Sequence, residues 1–213
     1  TMLGFIETNV DLPKTLLKKY LKQCADISFN SISVDGDMST NDTVVFSSTG
    51  ELKLNMKNKS IETKFLSFAS NFFIRLSSLI VKDGEGATKF IKLNVINAKS
   101  LILAQEVSKK ISSSILVKTA MFGEDPNWGR IVASIGSIES CDIKPLNIKL
   151  MINNILCFKN GISLNSGSKK LEKSMRKSTI EITVDLNHGK HKQSMYFSDL
   201  SYDYIRINSE YTT

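Results

Sequence analysis

Residues 65–96 read FLSFASNFFIRLSSLIVKDGEGATKFIKLNVI, and the change of rhythm inside this stretch sets the fold class. Phe65, Phe68, Ala69, Phe72, Phe73, Leu76 and Leu79 recur at helical spacing. That spacing predicts one broad apolar helix face packed into a core. Asp83-Gly84-Glu85-Gly86-Ala87-Thr88 then breaks the pattern with two glycines and predicts a sharp turn. From Lys89 to Ile96 apolar and polar residues alternate, the mark of a strand with one buried face. A helical period followed at once by a strand period places the chain in the α+β class.

Upstream, Asp11-Leu12-Pro13 opens a helix that carries Leu16, Leu17, Tyr20, Leu21 and Cys24 on one side. Residues 29–34 alternate like a strand, and Asp35 to Thr43 is densely polar. Val44-Val45-Phe46 reads as a buried strand, and residues 51–60 as a Lys/Asn-rich loop. Downstream, residues 98–111 read as a helix, and Asp125-Pro126 as a second helix start with Asp as the N-cap. Residues 146–158 suggest two strands joined at Asn153-Asn154, and residues 168–177 a short basic helix. Residues 179–186 and 192–197 read as a hairpin turning at His188 and His191. No internal repeat is visible. We divide the chain into residues 1–90 and a C-terminal α/β lobe, 91–213.

Composition narrows the function classes. The 213 residues are 41% hydrophobic and 23% charged, a globular balance with enough apolar material for a core. No signal peptide is visible and no apolar stretch reaches the ~20 residues of a membrane span, so no membrane partner is expected. The net charge is +7, from 28 basic and 21 acidic residues. The lysines are scattered along helix and loop faces and arginine is rare, so no nucleic-acid partner is expected. Cys24, Cys141 and Cys157 are few, odd in number and far apart. They fit a reducing, cytoplasmic setting, and without a CxxC pair no metal site is expected.

Several segments could carry chemistry. A threonine such as Thr1, when at a free N-terminus, combines a hydroxyl nucleophile with an α-amine whose pKa near ~8 lets it accept the hydroxyl proton. That arrangement needs no histidine, and this chain has two, both in a suspected turn. The Asp35–Thr43 stretch could hydrogen-bond backbone around a site. Its spacing lacks the glycine and terminal glutamate that a calcium loop requires. The Asp83–Lys89 turn lacks the spacing of a phosphate loop. What remains there is Glu85 between two glycines, a carboxylate suited to an ammonium group, with room for a ligand to come close. Trp128, in Phe122-Gly123-Glu124-Asp125-Pro126-Asn127-Trp128-Gly129-Arg130, suits a core or interface anchor.

Five segments occur in one order: Thr1-Met2-Leu3, Asp35-Gly36-Asp37 with Ser39 to Thr43, Asp83 to Lys89, Gly123 to Arg130, and Asn208-Ser209-Glu210-Tyr211-Thr212-Thr213. Together they resemble the β chain of the ornithine acetyltransferases, also called glutamate N-acetyltransferases, of arginine biosynthesis. The resemblance runs over essentially the whole chain. Ser209, where alanine is common, is a small departure. It implies a layered α/β sandwich similar to N-terminal nucleophile enzymes, a precursor that cleaves itself before Thr1, and an α chain that stays bound, usually as an α2β2 heterotetramer. It implies Thr1 as the catalytic nucleophile and Thr1, Glu85, Asn208 and Thr213 as substrate-binding residues. The oxyanion-hole residues would belong to the α chain. It implies no cofactor, with acetyl-CoA as a candidate co-substrate. Two other readings stay open from the residues themselves: an N-terminal-nucleophile amidohydrolase or aminopeptidase, and a basic binding module without catalysis.

Overall fold

The structure is a computed structural model, and it describes residues 1–139, 143–165 and 167–211. The chain forms two compact units, one of residues 1–32 and 37–79, the other of residues 33–36 and 80 onward. In each, helices cover a β-sheet, so the α+β class and the layered α/β architecture are both present.

In the first unit, β1 (Leu3–Val10) and β3 (Thr43–Leu52) pair in parallel, with Leu3 opposite Thr43 and Phe5 opposite Val45. Parallel neighbours need a crossover, and α1 (Lys14–Asp26) supplies it. Pro13 sits at the N-cap, and its carbonyl accepts from the Leu16 and Leu17 amides. Val10, Leu12 and Tyr20 form a core with Phe46, Phe65 and Leu66 around them. Phe73 is wholly buried and meets Phe29 and Phe46 edge-on, at 5.9 and 5.5 Å between ring centres.

Three expectations change in this unit. Residues 29–34 are mostly not a strand: Phe29–Ser31 is a 3-10 turn and β2 covers Ile32–Ser33 alone. The hydroxyls of Ser28 and Ser31 donate to the Cys24 and Asp26 carbonyls, so they prolong the helix end where a strand would begin. Residues 44–46 do lie in a strand, but β3 alternates between exposed and half-buried positions, so it is not a buried strand. The broad apolar face of α2 (Lys59–Lys82) divides. Ala69 and Phe73 are buried, whereas Phe68, Phe72 and Leu79 are 72%, 46% and 53% exposed. With 24 residues and a mean hydropathy of 1.2 in its most apolar window, α2 is also long and apolar enough, by length and composition only, to cross a membrane. The expectation that no apolar stretch reaches the length of a membrane span is therefore not met by α2 on length and composition.

The second unit is built on a seven-stranded sheet ordered β2-β9-β4-β8-β5-β6-β7. Its strands are β4 (Phe90–Ala98), β5 (Lys149–Ile152), β6 (Ile155–Lys159), β7 (Ile162–Ser163), β8 (Thr179–Asp185) and β9 (His191–Ser198), with β2 at one edge. The helices are α3 (Leu101–Ser112), α4 (Ile115–Phe122), α5 (Trp128–Gly136), α6 (Lys169–Met175) and α7 (Tyr202–Glu210). The alternation read in residues 89–96 is the register of β4. Ile91, Leu93 and Val95 are fully buried, and on the other face Asn94 bonds Glu181 and Ser194. Asn153 and Asn154 both adopt left-handed backbone, as the two-residue turn between antiparallel β5 and β6 requires. Trp128 stacks on Phe158, with ring centres 4.9 Å apart, and is a core anchor.

The hairpin expected of residues 179–197 is absent. β4 lies between β8 and β9, parallel to the first and antiparallel to the second. The connection crosses over the end of β4, where the Leu186 and His188 amides bond the Ile96 and Asn97 carbonyls. A Cβ on Gly189 would come 2.9 Å from the Lys99 Cα, so the crossing needs glycine. The helix expected at Asp125-Pro126 starts later. Asn127 is the N-cap of α5 and accepts from the Arg130 amide at 3.2 Å, while Asp125 holds the Asn127 side chain at 3.0 Å.

Candidate functional site

Thr1 precedes β1 in the first unit. The parallel register sets Met2 beside the loop that leads into β3, and the Thr43 amide donates to the Met2 carbonyl at 2.9 Å. The polar stretch then closes around the strand start. Thr1 Oγ1 lies 2.9 Å from Ser39 Oγ, and Asp42 accepts from the Met2 amide at 2.8 Å and the Ser39 amide at 3.3 Å. The Asn41 amide donates to Ser39 Oγ at 3.2 Å. The Ser39 hydroxyl is therefore oriented by the backbone, with its own proton or a lone pair turned toward Thr1 Oγ1. Thr1 itself remains exposed to solvent.

Glu85 and Asn208 lie in the second unit, and the fold brings them together. Asn208 Nδ2 donates to Glu85 Oε2 at 2.8 Å and to the Tyr204 carbonyl, one turn back in α7, at 3.0 Å. The Asp83–Lys89 turn sits on the N-terminus of α7. Ser201, the N-cap, donates to the Gly86 carbonyl at 2.6 Å and accepts from the Tyr204 amide at 3.2 Å. The glycines beside Glu85 face protein. A Cβ on Gly84 would meet Val34 Cγ1 at 2.9 Å, and one on Gly86 would meet Ser201 Oγ at 2.8 Å. The close approach that the glycines allow is thus made by α7 and Val34. Lys89 ends the turn, nearly buried, with its ammonium on Glu124 at 2.7 Å and the Met175 carbonyl at 3.1 Å. Thr213 lies outside the described residues, as does Cys141.

Three elements here escaped the sequence reading. The first is α7, which carries Asn208; Ser201 followed by Asp203 in the first turn was the available cap signal. The second is Asp199, 3% exposed, whose carboxylate accepts from the backbone of the Glu85 turn. The third is Lys118 on α4, buried to 2% exposure. Its ammonium donates to the Val34 carbonyl at 2.6 Å and to the Ser198 carbonyl, and lies over the Phe197 ring. It thereby ties the residue before Asp35 to the residue before Asp199.

Burial lowers the Lys118 pKa from the usual 10.5 to about 8, against the partial support of the Asp199 and Asp35 charges. The folded chain therefore gives up this proton at a lower pH than the unfolded chain does. The cost of burying the charge is fully present below pH ~8 and is relieved as pH rises toward the unfolded value. The neutral amine still has two N–H groups for the two carbonyls. This group should add about 2 kcal/mol of stability between roughly pH 7.5 and 9.5. Denaturant melts at the two pH values should show the rise. Lys118→Met, less stable at both, should lose this part of the slope; an unchanged slope would count against the assignment.

The sequence profile of the ArgJ family matches residues 1–213. A glutamate N-acetyltransferase of Methanocaldococcus jannaschii is 43% identical over 223 residues, covering 100% of this chain and 54% of the relative. The arginine biosynthesis bifunctional protein ArgJ of Aquifex aeolicus is 40% identical over 214 residues, again covering 100% of this chain and 54% of the relative. The crystal structure of the arginine biosynthesis bifunctional protein argJ from Bacillus halodurans superposes with a TM-score of 0.92 at 33% identity, covering 99% of this chain and 100% of that one. This chain spans about half the length of the curated relatives it matches.

Proposed function

The chain belongs to the ArgJ family, and on that premise we propose that it is the nucleophile-bearing part of an enzyme that moves an acetyl group from N2-acetylornithine to glutamate. Thr1 Oγ attacks the acetyl carbonyl and its proton passes to the Thr1 α-amine. The C–N bond breaks, ornithine leaves with that proton, and the acetyl group stays as an ester on Thr1. The glutamate amine then attacks the ester and frees Thr1, a ping-pong sequence. The observation that carries this reading is the 2.8 Å bond between Asn208 and Glu85, residues 123 positions apart. A carboxylate and an amide side by side suit the ammonium and polar groups of an amino-acid substrate. Thr213 completes the set of substrate contacts in this proposal.

The partner is an α chain from the same precursor, in an α2β2 assembly, and it supplies the oxyanion donors. The half-length match to the relatives supports it. So does the first unit, where Leu3 and Phe5 on β1 are 60% and 72% exposed in addition to Phe68, Phe72 and Leu79 on α2. Apolar side chains left in water in such numbers fit a surface that another chain would cover. Buried free thiols at Cys24 and Cys157 support a reducing, cytoplasmic setting. The proposed chemistry calls for no cofactor.

The test is transfer from labelled acetylornithine by the chain purified with its partner. Labelled N-acetylglutamate should form when glutamate is present, and little labelled acetate should be released when it is absent. Acetate released at the same rate without glutamate would make the protein a hydrolase and overturn the reading. The same assay with acetyl-CoA as donor asks whether this chain also supports N-acetylglutamate synthesis.

Glu85→Gln keeps the shape and removes the charge. Substrate capture, read as kcat/KM for acetylornithine and for glutamate, should weaken by roughly 1.5–3 kcal/mol, the range for hydrogen bonds to charged groups. Self-cleavage of the precursor should proceed normally, because no ammonium substrate takes part in it. Unchanged kcat/KM, or blocked cleavage, would remove Glu85 from this role.

A further inference from the structure

We propose that Asp199 is a positioning residue for the Glu85–Asn208 pair, an inference that rests on the substrate-recognition reading of that pair. Glu85 and Asn208 are both exposed, so their meeting depends on where their backbones are held. One short segment holds both. Asp199 Oδ1 accepts from the Thr88 amide at 2.8 Å and the Lys89 amide at 2.9 Å, and Oδ2 accepts from the Thr88 hydroxyl. The Asp199 amide returns a bond to the Lys89 carbonyl at 3.3 Å. Two residues on, Ser201 fixes the Gly86 carbonyl and starts α7, the helix that presents Asn208. Residues 199–201 thus fasten the Glu85 turn on both sides of Ala87 and set the origin of the helix opposite. From the other side, Lys118 holds the Ser198 carbonyl.

A carboxylate in a nearly closed site needs such partners. Burying it without them would be strongly unfavourable, and here two amides, a hydroxyl and the nearby Lys118 charge compensate it. Every one of those direct bonds goes to the root of the Glu85 turn. Asp199 acts through the position of Glu85 and is not placed to touch substrate itself.

The experiment is a double-mutant cycle on the enzyme assembled with its partner chain. Asp199→Ala should raise KM for acetylornithine on the order of tenfold, with kcat changing by less than about threefold. In the Glu85→Gln background the same substitution should raise KM less than about threefold further, because the contact it positions is already gone. Asp199→Asn should restore most of the loss. Its carbonyl can accept both amides, and its NH2 can donate to the Thr88 hydroxyl. If Asp199→Ala does not fold, Thr88→Val removes one of the three bonds at an exposed residue, and its few-fold KM effect should likewise vanish in the Glu85→Gln background. If Glu85→Gln alone leaves KM unchanged, the reading of the pair itself fails. If Glu85→Gln weakens capture but Asp199→Ala or Thr88→Val costs the same factor in both backgrounds, Asp199 acts elsewhere and the inference is overturned.

Discussion

Thr1→Ala is expected to abolish acetyl transfer, by a factor on the order of 10⁴ to 10⁶, the scale seen when a covalent nucleophile is removed. In the proposed mechanism the Thr1 hydroxyl oxygen carries the acetyl group between the two half-reactions, and an alanine offers nothing that can form the ester. Brief incubation of the wild-type enzyme with acetylornithine alone should add one acetyl group to the peptide that contains Thr1. Acid quench preserves such an ester, and intact mass reads it. Thr1→Ser keeps a hydroxyl and should retain measurable transfer. Ser39→Ala leaves the nucleophile but removes the neighbour 2.9 Å away, so it should slow transfer far less than Thr1→Ala does. In the longer precursor Thr1→Ala should also block cleavage, because the same hydroxyl would perform the N-to-O acyl shift. Full transfer by the Thr1→Ala protein, or label on a different peptide, would remove Thr1 from the mechanism. A silent substitution would leave the binding-module reading in its place.

The sequence carried the local periods of this fold well and its long-range order poorly. β4 was legible because its alternation is strict and one face is wholly buried. The β5–β6 turn was legible because two consecutive asparagines tolerate left-handed backbone. The order β9-β4-β8 was not, since nothing within residues 179–197 records that a strand from residues 90–98 will enter between them. α4 escaped because Ile115, Leu116 and Val117 are apolar on all sides of the helix, which erases the amphipathic period. The split of the α2 face was equally hidden. Spacing says which residues share a side, and it does not say which part of that side this chain covers. At the candidate site, Glu85 could be singled out from its glycine-flanked turn and Asn208 through the family resemblance, but Asp199, Ser201 and Lys118 could not. Their role is to bond backbone groups far away in sequence, and a backbone acceptor leaves no mark on residue type.

Gly86→Ala is expected to cost about 4 kcal/mol of stability, or to detach α7 from the Glu85 turn, and in either case to lose more substrate capture than Glu85→Gln does. Two separate costs meet at this position. Gly86 has φ of 62°, a left-handed conformation that disfavours a side chain by roughly 1–2 kcal/mol. The added Cβ would also lie 2.8 Å from Ser201 Oγ and 3.0 Å from the Asp203 carbonyl carbon, besides crowding the Tyr204 amide. These atoms are the cap and first turn of α7, mostly backbone, so they cannot swing aside as a flexible side chain would. The turn and the helix must separate, and the Ser201–Gly86 bond goes with them. Asn208, two turns along the same helix, then loses its place beside Glu85. Gly84→Ala is the comparison that isolates the cause. Its Cβ would press on Val34 Cγ1 at 2.9 Å, but Gly84 has no left-handed backbone and α7 is not its nearest neighbour. It should cost less stability, and a smaller part of that cost should reach KM. Thermal melts and KM for both substrates separate the two variants. A Gly86→Ala protein with native stability and native KM would mean that the turn and α7 are not held together as described.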